Sequence, residues 1–257
     1  DLPRGLPFSC AASDAVNAKM FQQIGGKLNG VTERLADMDR QGVVVEDMNP
    51  NPGQYFYFVP PELGRESART INDAIAEAVA SAPDRLVGMG TVPLQNSAIS
   101  RAALSRCVSD CGMRGIEIGT NYGGRELADP DLRPFFAAAE ELGVLLFIHP
   151  LGFTQGDRLS EHYLNNIIGN PLESTIALSH LIFGGVLDSH PNLKICVAHG
   201  GGYLPGYWGR MDHAFRARED CRQHISREPS SYMRQVWLDT LVFDRDQLES
   251  LVRTHGA

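Results

Sequence analysis

The sequence has no run of basic residues, no C-x-x-C pair and no apolar segment long enough to cross a bilayer. Each absence removes a class of function. Its 23 Lys and Arg are outnumbered by 31 Asp and Glu, for a formal charge of −8. Phosphate recognition needs clustered cationic side chains, so nucleic acid and anionic membrane surfaces are set aside as partners. The longest wholly aliphatic and aromatic runs, Val144 to Ile148 among them, fall far short of the roughly 20 residues of a membrane helix. The five cysteines, Cys10, Cys107, Cys111, Cys196 and Cys221, are odd in number and lack zinc-finger spacing. They indicate no disulfide framework, and a reducing cytoplasm is the expected location.

What is present is an ordinary globular composition, 43% hydrophobic and 21% charged over 257 residues, which suits one domain over 1–257. Short β-rich runs are expected as strands at Gly42–Met48, Leu86–Val92, Arg114–Gly119, Val144–His149, Leu193–His199 and Val236–Val242. Between them apolar residues recur at three and four positions, as in Ala68, Ile71, Ile75, Ala78 and Val79, or Leu248, Leu251 and Val252, and predict helices. Strand alternating with helix argues for a parallel sheet, and continuous runs such as Val-Leu-Leu-Phe-Ile suit strands covered on both faces. Neither G-x-G-x-x-G nor G-x-x-x-x-G-K-[ST] appears, which disfavours a doubly wound nucleotide fold. A (β/α)8 TIM barrel is the expected fold, although six strands are evident and eight are needed. The first 41 residues read as helical and irregular, with residues 1–32 as an N-terminal segment.

In such a barrel the chemistry lies at the C-terminal ends of the strands. Two histidines occupy those positions: His149 ends Val144–Ile148, and His199 ends Ile195–Ala198. Imidazole ligates metals and moves protons near neutral pH, so the pair points to a metal or acid-base site. Asp239, inside Val-Trp-Leu-Asp-Thr, either orients such a site or fastens a loop. His199-Gly-Gly-Gly also matches an esterase oxyanion loop, but no serine here sits in G-x-S-x-G. Arg210 and Arg218 follow the glycine turn and suit a carboxylate ligand. The bland alternative for Arg218 is a surface ion pair with Glu219 or Asp220. Tyr55 to Phe58 and Phe153 either line a pocket or pack. The other six histidines read as structural or surface residues.

The combination Phe147-Ile-His149-Pro, Gly184-Gly-Val with Pro191-Asn-Leu-Lys, Ala198-His199-Gly-Gly-Gly, Gly209-Arg210 and Asp239-Thr resembles the amidohydrolase-related metal-dependent decarboxylases. Arg34 to Gly42, Gly88 to Pro93 and Gly115 to Gly119 belong to the same resemblance, which runs from about Glu33 onward. It implies a metal-dependent hydrolase-type (β/α)8 barrel with one divalent metal, usually zinc. It implies His149 as the metal ligand of the fifth barrel strand and His199 as the catalytic residue of the sixth. Arg210 and Arg218 would bind the substrate carboxylate, Arg210 across the interface of a homodimer.

The sequence also departs from that pattern. The family begins with an H-x-H strand, and no H-x-H occurs here. A further aspartate ligand belongs to an eighth strand that is not evident. The expectation is therefore a chain without barrel strands 1 and 8, inactive as it stands. The expected activity of the complete protein is non-oxidative decarboxylation of an unsaturated or aromatic carboxylic acid. Residues 151–170 are expected to form a loop over that substrate. Two rivals stand beside it: a hydrolase or hydratase of the same superfamily, and a non-catalytic binding or assembly protein built on a degraded barrel.

Overall fold

Glycine and proline divide this chain into alternating strands and helices, and the computed structural model, which describes residues 9–256, follows that division closely. One parallel sheet carries β1 (Glu46–Met48), β2 (Leu86–Gly90), β3 (Gly115–Ile118), β6 (Leu145–Ile148), β7 (Lys194–Val197) and β8 (Val236–Leu238), hydrogen-bonded in that order. A separate hairpin pairs β4 (Asn121–Tyr122) with β5 (Arg125–Glu126) through Gly123 and Gly124, both with positive φ. The hairpin was not expected from apolar patterning, because two-residue strands carry too little of it.

All six expected sheet strands exist, with shorter bounds. At Gly42 the backbone is left-handed, capping the preceding helix, and Val44 and Val45 are exposed. That segment is held by the Arg85 side chain bonding the carbonyls of Val43 and Val44, not by a ladder. At the far end, Thr240 to Val242 turns away through a bond from Val242 N to the Thr240 carbonyl.

The helices are α1 (Ala11–Asn29), α2 (Val31–Gln41), α3 (Pro61–Ala80), α4 (Ser97–Ser109), α5 (Arg133–Leu142), α6 (Asn170–Phe183), α7 (Val186–Ser189), α8 (Trp208–Ala217), α9 (Pro229–Tyr232) and α10 (Arg245–His255). Helix α3 buries Gly64, Ala68, Asn72 and Ile75, one stripe at helical spacing. A Cβ at Gly88 of β2 would lie 3.2 Å from Ile75 and 3.4 Å from Val79, so a larger residue there requires these side chains to give way. Helix α4 starts at Asn96, whose side chain accepts from Ala98 N and Ile99 N. Asn96→Ala should cost about 1 kcal/mol in chemical denaturation by removing that cap. Of the expected 1–32 segment, residues 1–8 lie outside the described residues, and the rest is largely α1, which buries no residue.

Alternation sorts each strand into two faces. Ile116 and Ile118, Leu146 and Ile148, and Ile195 and Val197 are fully buried in one core with Phe135, Phe136 and the apolar side of α6. The intervening residues fall in register as Glu117, Phe147, Cys196 and Trp237. On this second face Trp237 is 57% exposed. Among the described residues the edge strands β1 and β8 do not pair with one another. The sheet is thus an open arc of six barrel positions. No described helix is long and apolar enough to cross a membrane.

Candidate active site

The sheet ladder continues one residue beyond the strand ends, and those residues carry the site. His149 N bonds to the Ile118 carbonyl, Ala198 N to the Ile148 carbonyl and Asp239 N to the Val197 carbonyl. Each strand end is therefore held by its neighbour. The rings of His149 and His199 come within 5.0 Å, centroid to centroid. They share the wall of a cavity of about 460 Å³ with Asn166, Asn170, Tyr203 and Phe243, a size suited to a small-molecule ligand.

The backbone at His199 explains its glycines. His199 has φ +62, and Gly200, Gly201 and Gly202 follow at +60, +76 and +68. A side chain at Gly202 would run into the Pro171 carbonyl and the Thr175 hydroxyl. The turn thus brings the backbone tightly against α6. Asp239 Oδ1 fastens it from the other side, accepting from Gly200 N at 2.7 Å and from Leu241 N at 3.2 Å. Of the two roles open to Asp239 in the sequence, loop fastening is the one its hydrogen bonds display.

Both imidazoles are kept neutral. Burial pushes His149 down to about 4, and the neighbouring His199 adds to the shift. His199 is also lowered by burial, with Asp239 opposing. Ser174, wholly buried on α6, places its hydroxyl 3.3 Å from His199 Nδ1. Among the described residues His199 Nε2 makes no hydrogen bond. A neutral imidazole in this setting accepts or relays a proton.

The loop after β6 is tied down by three side chains. Gly152 N donates to Asn170 Oδ1, Phe153 N to Asn165 Oδ1, and Thr154 N to Glu173 Oε1. Glu173 is 3% exposed, and its other oxygen accepts from Thr120 and Asn121 after β3. One buried carboxylate therefore joins the loops of two neighbouring strands. Asn166 and Ile167, from the expected 151–170 loop, reach the histidine cavity.

The arginines lie elsewhere. Arg210 is exposed in the first turn of α8, and Arg218 follows its last turn with a paired contact to Asp220, 2.9 and 2.6 Å. Neither lines the cavity. For Arg218 the surface ion pair is what the chain forms. Sequence reasoning assigned no role to Ser174, Glu173 or Glu117. Glu117 alone left a signal, as a lone carboxylate in Gly-Ile-Glu-Ile-Gly.

His149 and His199 do not make a metal centre by themselves. Among the described residues no three His, Cys, Asp or Glu side chains gather to hold an ion, and zinc sites use three or four protein ligands. His149 offers one donor: its Nδ1 lies 2.8 Å from the Pro150 carbonyl, so Nδ1 carries the hydrogen and Nε2 has a free lone pair.

A family profile described as Amidohydrolase matches residues 27–257. The 2-amino-3-carboxymuconate-6-semialdehyde decarboxylase of Dictyostelium discoideum is 36% identical over 249 residues, covering 96% of this chain and 69% of that protein. The crystal structure of 5-carboxyvanillate decarboxylase from Sphingomonas paucimobilis superposes with a TM-score of 0.81 at 28% identity, covering 87% of this chain and 69% of that one. A 5-carboxyvanillate decarboxylase from Novosphingobium aromaticivorans, complexed with manganese and 4-hydroxy-3-methoxy-5-nitrobenzoic acid, matches with a TM-score of 0.81 at 27% identity, covering 87% and 66%.

Proposed function

Because this chain belongs to the amidohydrolase family, we propose that it is a carboxy-lyase that removes CO2 without oxidation from an unsaturated or aromatic carboxylic acid. The observation that carries this reading is the pair of neutral, strand-end imidazoles facing one cavity, in a chain whose relatives are decarboxylases. The bond between the carboxyl carbon and the substrate carbon breaks, and its electron pair ends in a new C–H bond. The net change is the carboxylate and one proton going to CO2 and the protonated carbon. His199 is the group placed to relay that proton, a neutral imidazole taking one up at one ring nitrogen as it gives one from the other, with Ser174 against its Nδ1 and its Nε2 edge left for substrate.

A divalent metal belongs to this reading, with manganese bound in the relative and zinc implied by the sequence resemblance. The described residues supply His149 as a donor and no set of three, so none of the proton chemistry above is routed through an ion. A homodimer also belongs to it. Exposed Arg210 on α8 is free to meet a second copy, while Arg218 would have to leave Asp220 to bind a substrate carboxylate. We assign residues 151–170 as the substrate-covering loop, supported by Asn166 and Ile167 at the cavity.

The test is release of CO2 from a panel of unsaturated and aromatic acids by the complete protein supplied with manganese or zinc, with products identified by mass spectrometry. CO2 in equal amount to the decarboxylated product is expected. Water incorporation without CO2 would turn the reading to a hydratase or hydrolase. No turnover of any acid, with metal bound, would leave a binding protein.

A further inference from the structure

One buried acid takes no part in the chemistry above. Glu117 lies in the middle of β3 and is wholly shielded from solvent. Alternation points it away from the Ile116 and Ile118 core, and the register sets it beside Phe147, two residues before His149. Glu117 Oε1 and the Tyr55 hydroxyl oxygen lie 2.5 Å apart, at hydrogen-bond distance, and Oε2 accepts from the Asn49 amide. Tyr55 is itself 6% exposed, and its hydroxyl also lies 3.2 Å from the carbonyl oxygen of His149.

We propose that Glu117, acting through Tyr55, is a positioning residue that fixes the tautomer and direction of the His149 imidazole. The inference rests on His149 belonging to the working site, as proposed above. Its physical chain is short. Glu117 anchors the Tyr55 hydroxyl, and the hydroxyl holds the His149 carbonyl. That carbonyl shares a planar peptide with the Pro150 nitrogen, and the proline ring fixes the next φ near −65°. The direction of the Pro150 carbonyl then follows with one free dihedral. It meets His149 Nδ1 at 2.8 Å and can only accept, so the hydrogen stays on Nδ1 and the Nε2 lone pair stays available.

The Tyr55 hydroxyl has one hydrogen and two acceptors beside it. Both are satisfied together when Glu117 carries a proton, donating to the tyrosine oxygen while Tyr55 donates to His149. The surroundings favour that state. Burial pushes Glu117 up to about 7, and Asp47 on β1 adds to the rise, while the Tyr55 and Asn49 hydrogen bonds oppose it. Tyr57, stacked on Tyr55, bonds Gly119 N through its hydroxyl and brings no charge of its own. His149, lowered to about 4, brings none at neutral pH.

The experiment is histidine-selective ¹⁵N labelling of metal-free protein and long-range ¹⁵N–¹H correlation, which reads the tautomer of each imidazole. Wild type should show His149 protonated at Nδ1 alone. Tyr55→Phe and Glu117→Ala should shift it to a mixture of the two tautomers, and Glu117→Gln, which keeps a donor toward the Tyr55 oxygen, should restore the wild-type pattern. With substrate, Tyr55→Phe should lower kcat and leave KM in place. A single Nδ1-protonated tautomer in Tyr55→Phe overturns the proposal, and this variant decides the matter if Glu117→Ala does not fold. Absence of CO2 release by wild type would overturn the decarboxylase reading and leave the tautomer result standing.

Discussion

Replacing His199 with alanine is expected to lower kcat by about 10²- to 10⁴-fold, the range of a lost proton-transfer residue, with KM changed little. The reasoning starts at the backbone. His199 has a left-handed φ, inside a turn whose glycines fit only because nothing protrudes toward Pro171 and Thr175. That turn is held by α6 on one side and by Asp239 on the other. Histidine is favoured over alanine at positive φ, which predicts a modest loss of stability, but the Cβ is common to both, so the fold and the cavity should survive and the variant isolates the imidazole. Initial-rate CO2 release with the best acid of the panel measures it, with circular dichroism as the check on folding. A variant within about threefold of wild type would remove His199 from the proton path, because a general acid-base residue contributes far more than that.

His149→Ala serves as the contrast. It takes away an imidazole that burial holds neutral and whose Nδ1 hydrogen is tied to the Pro150 carbonyl, so it is not placed to relay a proton. Its effect should follow the metal: a loss of bound manganese or zinc together with activity, where His199→Ala should leave metal content unchanged.

The histidine pair was legible because one rule suffices to find it: a polar residue that ends an apolar parallel strand sits at the functional face of the sheet. The strand centres were legible for a similar reason. Val-Leu-Leu-Phe-Ile and Ile-Cys-Val-Ala carry their burial in their composition. The strand expected from Gly42 begins only at Glu46, because Val43 to Val45 look like β residues yet Arg85 holds them and solvent covers two of them. Glu117 stayed unassigned because its meaning is non-local. Its partners, Asn49 and Tyr55, lie 68 and 62 residues away in sequence, and only strand register brings them together. Glu173 is similar, since one carboxylate serving loops from two strands has no signature in spacing. Arg218 shows how a local partner competes with a distant one: two residues further on the chain offers it Asp220, and the surface pair forms.

The buried acid also makes stability depend on pH in a direction opposite to most carboxylates. Glu117 is raised in the folded chain from 4.5 to about 7, mainly by burial. Below pH 4.5 both folded and unfolded chains hold its proton, and it costs nothing. As pH rises, the unfolded chain ionises first, and the folded state loses stability until pH passes about 7, where the loss levels off. At about 1.4 kcal/mol per unit, the full loss is on the order of 3 kcal/mol. Glu117→Gln cannot ionise. Its stability relative to wild type should therefore climb by about 2–3 kcal/mol between pH 4.5 and pH 8, measured as paired urea titrations. His149, lowered to about 4, titrates in both proteins and cancels in the difference, whereas Asp47, raised to about 6 by burial, repels ionised Glu117 and contributes part of it. A flat difference across that range would mean that Glu117 is ionised in the folded chain at low pH. Tyr55 would then donate to Glu117 and not to His149, and the coupling between this acid and the strand-end histidine would fail at its first link.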